Sequence, residues 1–342
     1  MGNNIPQANR DTFFDTYKYL LIILVITGHF LEGYKHLHTW MEYVYSFIYL
    51  FHMPFFVFVS GYFSKRLTSK KLLKSSLLLM ETFILLQTGF LWLRNEEWPD
   101  WNEVFSPWYA PWYLISLIWW RWIAFFCLKI NKPAICLGIA VIIGIGSGFL
   151  NGSAELTSFL ALARTCVFLP FFMAGLYITP LQIRRLRNTR HQPFILLLMV
   201  IAVSLIFFSG MELNIIEYGN GFHWNEKSIG ESFRLFGIRL YFLGSATILI
   251  ICCLNLLPAL KACAGFGRRT MFFFSYHIFF LLFFHYYLRR EWHIAHPDWW
   301  YPSICIVLTV IILNSLSRIT FFTRMLNPVS SLMIFCKNRL KQ

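Results

Sequence analysis

DTYKYLLIILVITGHFLEGYK, residues 15–35, is apolar and long enough to cross a bilayer, yet it carries ionisable groups inside the apolar run. Lys18 and His29 are eleven residues apart. On a helix that is about three turns, so both side chains share one face, about 16 Å apart along the axis. Asp15 and Glu32 fall near the same stripe, within about 100° of it. Ionisable groups at such depth are costly and face a cavity or a partner. The stripe reads as one wall of a polar path from the cytoplasmic surface into the bilayer.

The rest of the chain repeats the apolar theme. Of 342 residues, 57% are hydrophobic, 19% aromatic and 13% charged. Apolar stretches predict ten helices, at 16–34, 43–63, 75–93, 108–128, 133–150, 158–179, 193–210, 232–256, 270–287 and 301–321. With the N-terminus in the cytoplasm, the cytoplasmic connections carry about four times the Lys and Arg of the outer ones, as the positive-inside rule requires. Shifting the frame by one helix inverts that bias. The expectation is an all-α polytopic membrane protein, a single domain over 1–342. Residues 1–15 and 322–342 are its cytoplasmic ends, and the first apolar run is retained because it lacks a small-residue cleavage site.

The net charge of +14 is therefore a topology signal. The cations are spread over short loops, which excludes a nucleic-acid footprint and favours contact with anionic lipid. Eight cysteines form no CxxC pair and no metal-type spacing with histidine, so they read as small buried hydrophobes and no metal is expected. No GxSxG elbow, Walker loop or GxGxxG occurs. HIAHPD, residues 293–298, has an H-x4-D spacing, but it lies in a short outer loop with no domain around it and reads as a decoy. The outer connection 211–231 is acidic, aromatic and Gly-containing, and is either a lid or a solvated loop. Asn151-Gly152-Ser153 is a glycosylation sequon in a predicted outer loop.

His29 has the intrinsic pKa of a general base, and Glu32 one turn away can orient it. Lys18 and Asp15, also one turn apart, can pair with each other, and Lys18 can snorkel or meet a phosphate-bearing ligand. In FHMPFFVFVSGYF, residues 51–63, Pro54 breaks the backbone ladder in mid-membrane and Ser60-Gly61 admits a close approach. Taken alone, that run reads as packing. His52 lies near the bilayer centre. Arg121, Arg164, Arg234 and Arg239 are further cations in helices, and they outnumber the acids there, leaving room for an anionic substrate. Arg268 and Arg269 open the ninth predicted helix, with His277 deeper in it.

These segments resemble the acyltransferase-3 superfamily of membrane acyltransferases, close to its fucose 4-O-acetylase-like branch. Lys18 and His29 match that family's Arg/Lys-x10-His signature, with Asp15 as the acidic residue upstream. FHMPFFVFVSGYF resembles its second-helix motif, and PWYLISL from Pro111 resembles its Trp-Tyr/Phe-Leu segment. Arg164 with LPFFMAG, and GRRTMFFFSYH at 267–277, resemble two later motifs. The resemblance covers nearly the whole chain.

It implies transfer of an acyl group, acetyl in the usual case, from coenzyme A to a hydroxyl of a cell-surface polysaccharide or lipid-linked sugar. The setting it implies is a multi-pass protein of the bacterial cytoplasmic membrane. Acetyl-CoA is then a co-substrate and no cofactor is bound permanently; membrane lipid and the glycan acceptor are partners, and a homo-oligomer is left open. The catalytic set on this reading is Asp15, Lys18, His29 and Glu32. Lys18 with Arg268 or Arg269 holds the anionic coenzyme, and Arg164 or Arg239 meets the developing oxyanion. His52, Ser60 and His277 complete the candidate binding residues. A competing class is a transporter or flippase for a lipid-linked sugar or small anion. A third is a non-catalytic partner in an envelope complex, in which Lys18 and His29 are dispensable.

Overall fold

The computed structural model describes residues 12–95, 97–107, 109–149, 158–208, 228–258, 260–288, 298–326 and 328. All regular structure among them is helical. Helices α1 (Thr12–Glu32), α2 (Thr39–Tyr62) and α3 (Ser69–Asn95) lead into the short α4 (Trp101–Phe105) and then α5 (Trp112–Ile130). Next come α6 (Pro133–Gly146), α7 (Leu162–Tyr177), the short α8 (Pro180–Leu186), α9 (Gln192–Phe208) and α10 (Ile229–Leu256). The last elements are α11 (Lys261–Gly267), α12 (Thr270–Leu282), a π-helical stretch at Phe283–Leu288, α13 (Trp300–Leu316) and α14 (Thr320–Met325).

Each of the ten predicted segments coincides with a helix. Among the described residues, six helices are long and apolar enough to cross a membrane: α1, α2, α3, α5, α10 and the run Phe159–Tyr177 that contains α7. The apolar helices α6, α9, α12 and α13 are shorter. Two local expectations change. The fourth segment starts at Trp112, not 108, because Pro111 (φ −55°) stands at its N-cap, where a missing N–H costs nothing. And α2 runs on through Pro54 to Tyr62, so the break that Pro54 makes in the backbone ladder does not end the helix. The connections contain ordered helices of their own. One of them, α8, is started by a capping box in which the Thr179 hydroxyl accepts from the Gln182 backbone N–H.

Helix α1 lies at the centre. Phe14, Tyr17, Ile22 and Ile26 are fully buried, and the helix packs on α2, α11, α12 and α13. Its apolar residues run all the way round, as a helix surrounded by neighbours requires. Helices α6, α9 and α13 instead turn Ile142, Leu197, Val200, Val307 and Ile311 outward. Such an apolar periphery is what lipid contact demands.

Small residues set the closest approaches. A Cβ built on Gly61 overlaps the Phe172 carbonyl, and one built on Gly175 overlaps the Phe58 carbonyl. The two glycines thus form one reciprocal crossing of α2 and α7, with backbone on backbone. Gly267 lies in the same way against the Asp15 carbonyl, seating α11 on α1. Hydrogen bonds pin these seams. The Tyr17 hydroxyl reaches the carbonyls of Cys253 (2.8 Å) and Leu257 (3.0 Å), and the Trp120 indole N–H donates to the Thr165 carbonyl (2.9 Å). The Lys65 ammonium donates to the Ile178 carbonyl just past α7.

Neither glycine of the α2–α7 crossing has a flexible neighbour that can yield. Gly61→Ala or Gly175→Ala is therefore expected to cost about 1–3 kcal/mol through overpacking. Thermal unfolding of the purified protein in detergent reads this directly. Gly138→Ala, with nothing within 4 Å of the added carbon, is the matched control.

Candidate active site

Two clusters of ionisable groups stand at opposite ends of the seam between α1 and the stretch from α11 into α12. At the N-terminal end of α1, Lys18 Nζ lies 2.5 Å from Asp15 Oδ1, and Arg268 Nε lies 3.8 Å from Asp15 Oδ2. Asp15 is fully buried, whereas the Arg268 side chain is 53% exposed and reaches the cluster from the surface. Lys18 also sits over the Phe63 ring, 4.5 Å from its centroid. One carboxylate thus faces two cations and leaves a net positive charge at the mouth of the seam. The helical spacing within α1 makes Asp15 and Lys18 neighbours, and the close seat of Gly267 on Asp15 brings Arg268 alongside.

About 16 Å further along α1 is His29. Its Nδ1 is 3.8 Å from Glu32 Oε2 and 3.5 Å from the Tyr49 hydroxyl. Glu32 accepts a hydrogen bond from the Tyr109 hydroxyl (3.1 Å), and the Tyr109 ring lies 5.1 Å from the His29 ring. Gly28 makes room here, because a Cβ at that position would be 2.8 Å from the Tyr49 ring. On another side, the His277 imidazole of α12 stacks on His29, with centroids 5.3 Å apart and planes at 26°. His52 of α2 packs edge-on against Tyr49 at 4.9 Å and anchors its Nδ1 on the Ile48 carbonyl at 2.6 Å. His29 interacts electrostatically with both other histidines. The lone histidine of the α1 stripe is therefore one of three.

The arginines within the helices divide between two places. Arg164 interacts electrostatically with Glu32 and Tyr49, and its guanidinium lies 5.3 Å from the Trp112 ring, which places it with the histidine cluster. It is introduced by a sharp turn in which Leu160 (φ 50°) and Ala161 (φ 55°) are left-handed, a conformation that costs a residue with a Cβ. Arg239 instead donates to the Gly144 carbonyl (2.9 Å) and the Ser147 hydroxyl (3.1 Å), closing the C-terminal end of α6. Of the two arginines expected to share the oxyanion role, Arg164 is the one grouped with His29. A parallel division separates Arg268 from Arg269, whose guanidinium donates to the Ser317 hydroxyl (2.8 Å) at the end of α13. Ser60 pairs with the Tyr113 hydroxyl at 2.5 Å, joining α2 to α5.

Tyr49 and Tyr109 were not singled out in the sequence for this site, since nothing in one aromatic among 66 marks it as polar-facing, and Trp112 stood out only within PWYLISL. The segment 211–227, the sequon at 151–153 and His293 lie outside the described residues. Asp298, the other end of the H-x4-D spacing, pairs with His38 Nε2 at 2.5 Å and accepts from the Trp299 backbone N–H at 2.7 Å. The His38 hydrogen bond holds its carboxyl below the ordinary range.

The arrangement offers a positive mouth for an anionic ligand. Some 16 Å inward it offers a histidine oriented by a carboxylate, with an arginine nearby. The model of the family Acyl_transf_3, described as an acyltransferase domain, matches residues 11–317. Nodulation protein NolL of Sinorhizobium fredii is 46% identical over 57 residues, covering 16% of this chain and 16% of that protein. Nodulation protein NolL of Mesorhizobium japonicum is 46% identical over 59 residues, again 16% of each. The chain thus aligns with about a sixth of the length of these curated relatives. No solved structure matches.

Proposed function

The chain belongs to the acyltransferase-3 family, and from that premise we propose that it moves an acyl group, acetyl in the first instance, from acyl-CoA to a hydroxyl of a cell-surface polysaccharide or lipid-linked sugar. The observation that carries the reading is the pairing of the two clusters on one seam. Lys18 and Arg268 meet the phosphates of the coenzyme at the mouth, and its acyl-bearing arm runs along α1 towards His29. Asp15 holds both cations in place. With Nδ1 turned to Glu32, His29 takes the hydroxyl proton on Nε2, and the carboxylate stabilises the resulting imidazolium. Arg164 supplies positive charge where the tetrahedral oxyanion develops. The protein works as a multi-pass enzyme of the bacterial cytoplasmic membrane, crossing it ten times with both ends cytoplasmic. The short stretches shared with nodulation protein NolL add local similarity and name no substrate.

Acyl-ester content of surface glycans, measured by mass spectrometry in cells with the gene intact and deleted, tests this reading. Loss of an acetyl-sized mass at normal glycan abundance supports it. Unchanged ester content with reduced glycan export replaces it with transport of a lipid-linked sugar.

A further inference from the structure

His277 does more than pack. Its Nδ1 lies 2.7 Å from the Phe274 carbonyl and 3.2 Å from the Phe273 carbonyl. Carbonyl oxygens only accept, so Nδ1 carries the hydrogen and the lone pair is on Nε2. Nε2 is buried and has no hydrogen-bond partner among the described residues. A buried polar atom left without a partner is costly and calls for a reason. The surroundings sharpen the question, because His277 sits in the run FFFSYHIFF (residues 272–280), where a large apolar side chain would pack without that cost.

The stack on His29 supplies the reason. Two imidazoles in face contact do not both hold a positive charge. His29 has Glu32 beside it and is partly exposed, whereas no hydrogen-bond partner meets His277 Nε2 among the described residues. His277 is fully buried and is the member that stays neutral. A neutral imidazole with its hydrogen fixed on Nδ1 presents Nε2 as a nucleophile. The same stretch of chain that carries His277 carries Arg268 at the mouth, so a donor held there lies along α12 towards that nitrogen.

We infer that His277 is a covalent acyl carrier, resting on the acyl-CoA reading above: its Nε2 accepts the acyl group from the thioester and passes it to the hydroxyl activated by His29. In the first step the Nε2 lone pair attacks the thioester carbonyl carbon, the N–C bond forms, the C–S bond breaks and the thiolate leaves. The acyl-imidazolium keeps its Nδ1–H on the Phe274 carbonyl. In the second step His29 takes the proton of the acceptor hydroxyl, and its oxygen attacks the acyl carbon. The O–C bond forms, the N–C bond breaks and His277 returns neutral; the proton on His29 is released to solvent, balancing the one the free thiolate takes up after it leaves. Splitting the transfer lets donor and acceptor use the site in turn.

The test uses the full chain in lipid nanodiscs with acetyl-CoA labelled in the acetyl group and no acceptor. The reaction is quenched in neutral denaturant, because acyl-imidazoles hydrolyse in acid. Wild type and His29→Asn are expected to carry label on the peptide containing His277. His277→Asn is expected to lose it: the Asn amide still donates to the Phe274 carbonyl while Nε2 is gone, and elution as a single species confirms that the variant folds. Binding of acetyl-CoA is measured alongside. Retention of acetyl-CoA without label on His277, label on another residue, or transfer by His277→Asn at the wild-type rate overturns the inference alone. Failure of wild type to bind acetyl-CoA overturns the donor reading and the inference together.

Discussion

His29→Asn is expected to slow ester formation by about 10²–10⁴-fold, the usual worth of a positioned general base. Binding of acyl-CoA should be little changed, because the side chains at the mouth belong to Asp15, Lys18 and Arg268, about 16 Å away along α1. The loss therefore falls on kcat and not on the KM for the donor. Glu32→Gln should give a smaller loss in the same direction, since the amide keeps the Tyr109 hydrogen bond but no longer stabilises a positive imidazole. The assay follows thiol release and ester formation separately, on purified protein with a sugar acceptor. Equal losses for His29→Asn and for a variant at the mouth, all of them in KM, would remove His29 from the chemistry and make it a packing residue.

How much of this was legible beforehand depends on which geometry a sequence encodes. Within one helix the spacing is set by the backbone, so the Lys18–Asp15 pair and the Glu32 beside His29 could be read from residues 15–35. The apolar segments were legible as helices for a similar reason, and among the described residues six of them have the length that bilayer thickness and helical rise require. The rotation of one helix about its axis relative to its neighbours is not encoded in any single segment. That is why His277, directly after Tyr276 in an otherwise aromatic run, gave no sign that it would stack on His29. Arg164 and Arg239 were indistinguishable as buried cations. They are separated by tertiary contacts, one grouped with Glu32 and the other closing α6. Gly61 was visible as a place of close approach, while its partner Gly175 emerged only when α2 and α7 were seen to cross.

The cluster at the mouth predicts an asymmetry that tests its electrostatics. Asp15 is wholly enclosed, whereas Lys18 keeps 19% of its side chain accessible and Arg268 more than half. Removing Lys18 takes the nearer cation from a carboxylate that cannot reach water, with the Arg268 guanidinium 3.8 Å away. Lys18→Met is therefore expected to cost about 3–5 kcal/mol, the scale for breaking a buried ion pair from one side. Asp15→Asn leaves cations that can extend towards solvent and should cost clearly less. The double substitution Asp15→Asn with Lys18→Met should regain most of the stability, because no charge is then stranded. Donor binding should follow a different order. If Lys18 meets the phosphates of the coenzyme, the double variant stays folded yet binds acyl-CoA as weakly as Lys18→Met alone. Lys18→Arg, which retains the charge, should preserve both properties better than Met. Thermal unfolding and acyl-CoA binding measured on the same four proteins separate the two roles. A double variant that is both stable and tight-binding would leave Lys18 with a purely structural task.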